Sequence, residues 1–333
     1  MIAKPSFVAL CVAATLTTAA CGGTLDAGRN VPHGPLPVDE RNPVIIVNDG
    51  VNDNWMGEYA LLLADHGGPS IASIVVGTTT YWPDLNANVT GWTDFLNAAR
   101  ASGFTGLPDL TVSVGPPLTA PDNRQIDSTV PNHSAGAQRI IDLSRELGLP
   151  HRPVAVLVGT QLTDLADAYL VDPTVVDRVV VVASLGSLDA PKVRMTGPNG
   201  ELDPWADWIV AQRFKYVQVS AYYDQTQDVT AAELANLPQT PFGSWIAKKQ
   251  PKISTFQNAS DQVAVLATTL PQFAKVVQRV SADTSAGFGS PIGQGPPLVP
   301  DDTGNAWAVT QIEAPLAASR FWSMLLEPHA QAP

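Results

Sequence analysis

Short runs of apolar, mostly β-branched residues recur along the chain, and stretches with helical spacing separate them. The first run, Val44–Val47, ends in a cluster of Asn, Asp and Gly, and apolar residues recur at helical intervals from Met56 onward. This alternation predicts an α/β fold with a mostly parallel central sheet and flanking helices. Predicted strands are 44–47, 71–77, 110–114, 154–158, 179–183 and 216–221. Predicted helices include 92–101, 135–147, 162–170 and 203–215, with a last helix from Ala306 onward after a long Gly- and Pro-rich loop at 282–304.

The charge balance excludes one large class of functions. Among 333 residues, 19 Lys and Arg stand against 31 Asp and Glu, which gives a net charge of −12. Proteins bind nucleic-acid backbones through clustered basic side chains, and this sequence has no basic run. We therefore expect no nucleic-acid partner. The hydrophobic content of 45% is that of a folding chain, because disorder requires low hydrophobicity together with high net charge.

The N-terminus is typical of an export signal, because an early basic residue is followed by an apolar stretch and then by small residues. The run Thr18–Cys21 resembles the lipoprotein box of bacteria, in which the Cys becomes the lipidated first residue. An ordinary secretory signal with a coincidental Cys is the alternative. We expect a signal peptide at 1–20, a lipidated Cys21 with a flexible tether over 21–42, and a folded domain over 43–333. The protein would then be a lipid-anchored lipoprotein of a bacterial envelope, periplasmic or on the cell surface.

The loop after the first strand is rich in side-chain oxygens. Residues 48–54, NDGVNDN, hold five carboxylate or carboxamide groups in seven positions. Ligands of parallel sheets bind beyond the carboxyl ends of the strands, so the position favours a functional loop. Such oxygens suit a hard cation such as Ca²⁺, although Asn, Asp and Gly also dominate ordinary turns and helix caps. From these residues alone, a calcium site and a turn are both open.

The same loop begins a series of five sequence blocks. The first is PVIIVNDGVNDNWMGEYALLLA, and the later ones include VAVLVGTQLTDLADAYLVDP and NGELDPWA. In this order they resemble the inosine-uridine preferring nucleoside hydrolase family, whose first strand ends in Asp-x-Asp-Pro-Gly-x-Asp-Asp. Gly50 and Asp53 match that motif, whereas Ile46, Asn48 and Asn52 stand at the first three Asp positions. The blocks are 43–64, 88–90, 154–173, 185–187 and 199–206, and the resemblance covers roughly residues 43–320.

The resemblance implies a fold, an activity and a cofactor. It implies a nucleoside hydrolase-like α/β domain in which a Ca²⁺ ion holds the ribose diol and a water, and an Asp takes the proton of that water. The position of this base is Asn48 here, and a carboxamide does not accept a proton at neutral pH. Asp49 is therefore the provisional base, although adjacent strand residues point in opposite directions. Asp53 is the carboxylate retained for metal binding or catalysis.

Further site residues follow from the same resemblance. Asn48, Asn52 and Asn199 would bind the sugar or the metal, and Gly159 would offer its backbone carbonyl to the metal. The family also has a late acidic ligand, in an Asp that follows a Pro-Leu run at the start of the final helix. Matching the helix places it at Asn305, whereas matching the Pro-Leu run at 296–298 places it at Asp302 or its neighbour Asp301. Both placements are open.

Two functions follow from these expectations. Amides in place of carboxylates remove much of the attraction for a divalent ion, so we expect Ca²⁺ to bind weakly or not at all. The first hypothesis is an exported nucleoside hydrolase-like protein that cleaves the N-glycosidic bond of a nucleoside or related N-riboside. The alternative is a non-catalytic envelope lipoprotein that binds a nucleoside or sugar through a degenerate metal site. A structural lipoprotein without a small ligand is a third hypothesis, and the sequence gives no oligomeric state.

Overall fold

One large sheet organises the fold. The computed structural model describes residues 35–51, 56–189, 192–195, 197, 199–220, 235–249, 261–269, 273–289 and 295–327. Their strands are β1 (Val44–Asn48), β2 (Ile71–Val76), β3 (Asp109–Val112), β4 (Val154–Val158), β5 (Val179–Ser184), β6 (Ser187–Asp189), β7 (Lys192–Arg194), β8 (Lys215–Val219), β9 (Ala274–Ala282), β10 (Pro297–Pro300) and β11 (Ala306–Ile312). Their helices are α1 (Met56–Asp65), α2 (Leu85–Ala101), α3 (Ala135–Leu147), α4 (Thr163–Val171), α5 (Pro204–Arg213), α6 (Pro241–Lys249), α7 (Gln262–Thr269) and α8 (Ala314–Leu326).

The sheet has a parallel part and an antiparallel part. Its strand order is β3-β2-β1-β4-β5-β8-β11-β9-β10-β7-β6, and the first seven strands run parallel. Every residue of β1, β4 and β5 is buried, because helices pack on both faces of these apolar strands. The predicted α/β fold with a mostly parallel sheet is thus confirmed. The other four strands add an antiparallel extension beyond β11.

Two buried acids on α4 fix the neighbouring helix. Asp164 accepts hydrogen bonds from the hydroxyls of Ser113 and Ser134, both at 2.7 Å, and Ser134 also caps α3. Asp167 accepts three backbone N–H groups from residues 132–134. Charge-assisted bonds of this kind are about twice as strong as neutral ones. They attach the segment after β3 and the start of α3 to α4, at the edge of the sheet where the strands end.

The last part of the chain differs from its prediction. The helix expected from Ala306 onward is strand β11, which pairs with β8 on one side and β9 on the other, and the helix begins only at Ala314. The predicted loop at 282–304 contains strand β10. These strands depend on long-range pairing, and a local pattern of apolar residues does not reveal such pairing.

The end of the expected tether packs against the domain. Leu36 and Val38 are buried in the core, and Asn42 donates a hydrogen bond to the backbone carbonyl of Pro153 at 2.7 Å. Residues 36–42 therefore form part of the folded unit rather than a flexible linker. None of the helices in the described part of the chain is long and apolar enough to span a bilayer.

Candidate functional site

The loops that follow β1 and β4 meet at the carboxyl edge of the sheet. Gly159 donates its backbone N–H to the carbonyl of Val47 at 3.0 Å. A Cβ atom on Gly159 would lie 2.6 Å from Nδ2 of Asn48 and 2.5 Å from Oδ2 of Asp261. Only glycine fits this position without a shift of its neighbours. The structure thus brings together the predicted pair Asn48 and Gly159.

Asp261 is the residue that sequence reasoning missed. Its Oδ2 atom lies 3.3 Å from Nδ2 of Asn48, 213 positions away along the chain, and both side chains are fully buried. Asp261 directly precedes α7, so it is an acid at the start of a helix, as the late ligand was expected to be. The signal that could have found it is this acid before the apolar run 264–267, although no Pro-Leu run precedes it.

Asn305 and Asp302 lie at the opposite edge. Asn305 precedes β11, and its side chain donates to the carbonyls of Ala211 and Phe214 near the end of α5. Asp302 is exposed in the turn between β10 and β11, and its neighbour Asp301 binds Thr303. The structure places neither Asn305 nor Asp302 beside Asn48, because parallel strands begin at this edge and end at the edge that holds Asn48.

Asp49 connects three loops. Its Oδ1 accepts the backbone N–H of Gly50 at 2.7 Å, and its Oδ2 accepts the hydroxyls of Thr79 at 2.7 Å and Thr160 at 3.4 Å. The Nε1 atom of Trp92 donates to its backbone carbonyl. Burial raises the pKa of the Asp49 carboxyl above its usual value, and these hydrogen bonds oppose the rise. Both carboxylate oxygens of Asp49 are already bonded to groups of three loops, which argues against the predicted role of catalytic base.

Asn199 lies at the carboxyl end of β5. Its backbone has a φ of +66°, and its side-chain amide donates to the carbonyl of Ser184 at 2.9 Å. Because Ser184 is the last residue of β5, this hydrogen bond places the half-buried side chain at the same edge of the sheet as Asn48. The predicted residues Asn52, Asp53 and Cys21 lie outside the described residues.

The donor set around Asn48 differs from the one that Ca²⁺ requires. Among the described residues, no three His, Cys, Asp or Glu side chains lie close enough together to hold a metal ion. Oδ1 of Asn48 accepts the backbone N–H of Asp49 at 2.6 Å, and Nδ2 contacts the sulfur of Met56 at 3.2 Å. Ca²⁺ takes six to eight oxygen ligands, several of them charged. The described residues alone do not complete a Ca²⁺ site, and the predicted ligands Asn52 and Asp53 lie outside them.

A cleft opens at the carboxyl edge beside these residues, and we call it the carboxyl-edge cleft. Its outer part, of about 390 Å³, lies between the loops after β2, β3 and β4 and the side chain of Leu202. Thr78 and Gln161 line both the outer part and a small inner part. The inner part is also bordered by Val47, by two glycines and by four polar side chains, Ser113, Thr160, Thr163 and Asp164. The outer volume lies within the range of small-molecule sites.

Solved structures decide the fold family. An inosine-guanosine nucleoside hydrolase superposes with a TM-score of 0.61 over 85% of this chain and 98% of its own, at 14% sequence identity. The fold is that of the nucleoside hydrolases. A purine-preferring ribonucleoside hydrolase from Gardnerella vaginalis gives a TM-score of 0.57 at 15% identity, over 85% of this chain and 98% of its own.

An inosine-uridine preferring nucleoside hydrolase from Bacillus anthracis gives a TM-score of 0.53 at 14% identity, over 86% of this chain and 98% of its own. No protein-family model and no curated protein matches the sequence. At these identities, the similarity establishes the nucleoside hydrolase fold and leaves the chemistry to be argued from the residues.

Proposed function

We propose that this protein binds a nucleoside or related N-riboside at the carboxyl edge of its sheet and hydrolyses the N-glycosidic bond. The observation that carries the proposal is the carboxylate of Asp261, which lies against Asn48 and Gly159 where β1 and β4 end. The nucleoside hydrolase fold supports the same substrate class. The ligand is a small molecule.

Asp261, rather than the provisional base Asp49, is the base of the reaction, and the family's base position is held by Asn48. The oxygen of a water attacks the anomeric carbon, and the water transfers a proton to the Asp261 carboxylate. The C–N bond breaks, its electron pair passes to the nucleobase nitrogen, and the released base takes up a proton from solvent. Asn48 is the positioning residue, because its N–H donates to Oδ2 of Asp261 and orients that carboxylate.

Binding without catalysis is the second candidate. It is favoured by the amide of Asn48, whose atoms already contact Asp49, Met56 and Asp261, and by the bonded oxygens of Asp49. In that case the cleft holds a nucleoside or sugar and releases it unchanged. Release of free ribose separates the two candidates.

The test measures ribose release from a panel of nucleosides by the wild type, by Asp261→Asn, and by Asp302→Asn as the matched control. We expect Asp261→Asn to lower the rate by about 100-fold or more, the range of general base catalysis. Asp302→Asn, an exposed acid at the opposite edge, leaves the rate unchanged. Nucleoside binding without ribose release by the wild type would support the second candidate. Equal rates for wild type and Asp261→Asn would contradict the assigned base.

The role of calcium is tested by titration of the protein with Ca²⁺. Calorimetry with millimolar Ca²⁺ is expected to show weak binding or none, because the described residues around Asn48 offer few charged oxygens. Ribose release that is abolished by a chelator and restored by Ca²⁺ would contradict this expectation. Such a result would assign the retained carboxylate Asp53 to the metal.

Export and lipid anchoring belong to the same proposal. The apolar N-terminus ending at Cys21 supports a lipoprotein of a bacterial envelope, with the folded domain outside the cytoplasm. In a bacterial host, we expect the wild type in the membrane fraction, with a mass increased by the attached lipid. We expect Cys21→Ser to be absent from the membrane fraction and to lack this increase in mass. Cys11→Ser is the matched control. Equal behaviour of the two variants would contradict lipidation at Cys21.

A further inference from the structure

We propose that Gln161 and Thr78 recognise the nucleobase in the carboxyl-edge cleft. The inference rests on the proposed function and deepens it. It names the residues that choose the substrate and the chemical class that they choose.

Most polar side chains around the cleft are already bonded to buried acids. Thr79 and Thr160 donate to Asp49, and Thr163 donates to Asp203 at 2.6 Å. Ser113 is committed in the same way to Asp164. These hydroxyls hold the walls of the cleft in place and have no donor left for a ligand.

Gln161 and Thr78 differ from these side chains in their hydrogen bonding. Both are half-buried and line the inner and the outer part of the cleft, and neither side chain has a hydrogen-bond partner among the described residues. In the free protein such half-buried groups are open to water, and a ligand that enters the cleft replaces that water. Their donors and acceptors are therefore available to a bound molecule.

The chemistry of Gln161 selects a cyclic amide or an aminopyrimidine edge. A carboxamide presents one acceptor and two donors in a plane, so it forms paired hydrogen bonds with a ring that carries adjacent donor and acceptor atoms. Nucleobases have such edges. The Thr78 hydroxyl adds a donor or acceptor on the facing loop.

The rest of the outer cleft suits the faces of a flat ring. Pro83, Val114, Pro116, Pro117 and Leu202 supply apolar surface around the two polar residues. Sites for small ligands combine such walls with a few polar groups that fix orientation. The outer volume of about 390 Å³ accommodates one base with part of its sugar.

The charge of the cleft disfavours phosphate. No Lys or Arg lines either part among the described residues, and the one ionisable group in the lining is the carboxyl of Asp164. A phosphate entering here would lose its hydration without gaining a cationic partner. An uncharged nucleoside does not incur this desolvation penalty.

The test is calorimetric titration with inosine, uridine, their 5′-monophosphates and free ribose. It uses the wild type and an Asp261→Asn background, in which turnover does not consume the ligand. We expect nucleosides to bind at least about tenfold more tightly than their monophosphates and than ribose. Gln161→Leu should weaken nucleoside binding by about 10- to 100-fold, and Thr78→Val by about fivefold. Gln138→Leu and Thr93→Val, on exposed helix faces, are the matched controls and leave binding unchanged.

The outcomes separate this inference from the function on which it rests. Nucleoside binding that Gln161→Leu and Thr78→Val leave intact would overturn the inference while supporting the proposed function. Equal affinity for ribose alone would overturn it as well. No binding of any nucleoside by the wild type would overturn both. Circular dichroism and melting curves establish that each variant folds.

Discussion

Asp49 and Asp261 are two buried acids that both lie close to Asn48, and they have different partners. Asp49 accepts hydrogen bonds from the loops after β1, β2 and β4, whereas Asp261 meets the carboxamide of Asn48 from the start of α7. Their exposures, 2% and 0%, do not distinguish them. Position in a sequence motif suggested the first acid as the base, but its bonding partners make it a structural residue.

The largest expected effect on stability comes from Asp49→Ala. The change leaves the backbone N–H of Gly50 and the hydroxyls of Thr79 and Thr160 without their acceptor. We expect the free energy of unfolding to fall by about 2–4 kcal/mol, measured by urea denaturation. A loss below about 0.5 kcal/mol, as for an ordinary surface change, would show that Asp49 does not tie the loops.

Gly159→Ala tests the contact between Asn48 and Asp261, because Gly159 packs against both side chains. The new methyl group would lie 2.5 Å from Oδ2 of Asp261, so the pair must separate or the backbone must move. The expected cost is about 1–3 kcal/mol of stability, with a clear loss of ribose release. Gly77→Ala, whose added Cβ would have its nearest neighbour at 3.5 Å, is the control for stability only, because Gly77 itself borders the inner part of the cleft. An active and stable Gly159→Ala would contradict the close packing.

The sequence predicted six of the seven parallel strands because each of the six carries its own local apolar pattern. Strands β1, β4 and β5 are continuous apolar runs, and their bounds follow from composition alone. The antiparallel extension and β11 were missed because their identity depends on pairing between distant segments. Asp261 was missed for a similar reason, since its contact with Asn48 spans 213 positions and the motif used to find it was matched elsewhere.

A third buried acid gives a smaller and pH-dependent effect. Asp207 on α5 is fully buried, and neither carboxylate oxygen has a partner among the described residues. Burial raises the pKa of Asp207 well above its usual value, and the charge of Asp203 adds to the rise. The folded state therefore holds a proton that the unfolded state releases, so stability falls as pH rises above the ordinary Asp pKa near 4.

Asp207→Asn removes this dependence. The variant should exceed the wild type by about 1 kcal/mol or more at pH 7, and the difference should shrink toward pH 4. Melting curves across this pH range measure it. A wild type whose stability rises from pH 4 to pH 7 relative to Asp207→Asn would show that Asp207 is ionised and paired.

The most direct test of the account compares Asp49→Asn with Asp261→Asn in one ribose-release assay, each normalised to its folded fraction. The account predicts that Asp261→Asn folds normally and loses about 100-fold or more of its rate, because it removes the base. Asp49→Asn should melt at a lower temperature and keep its rate within about fivefold. Loss of the rate in Asp49→Asn with full activity in Asp261→Asn would contradict the assignment of the two acids.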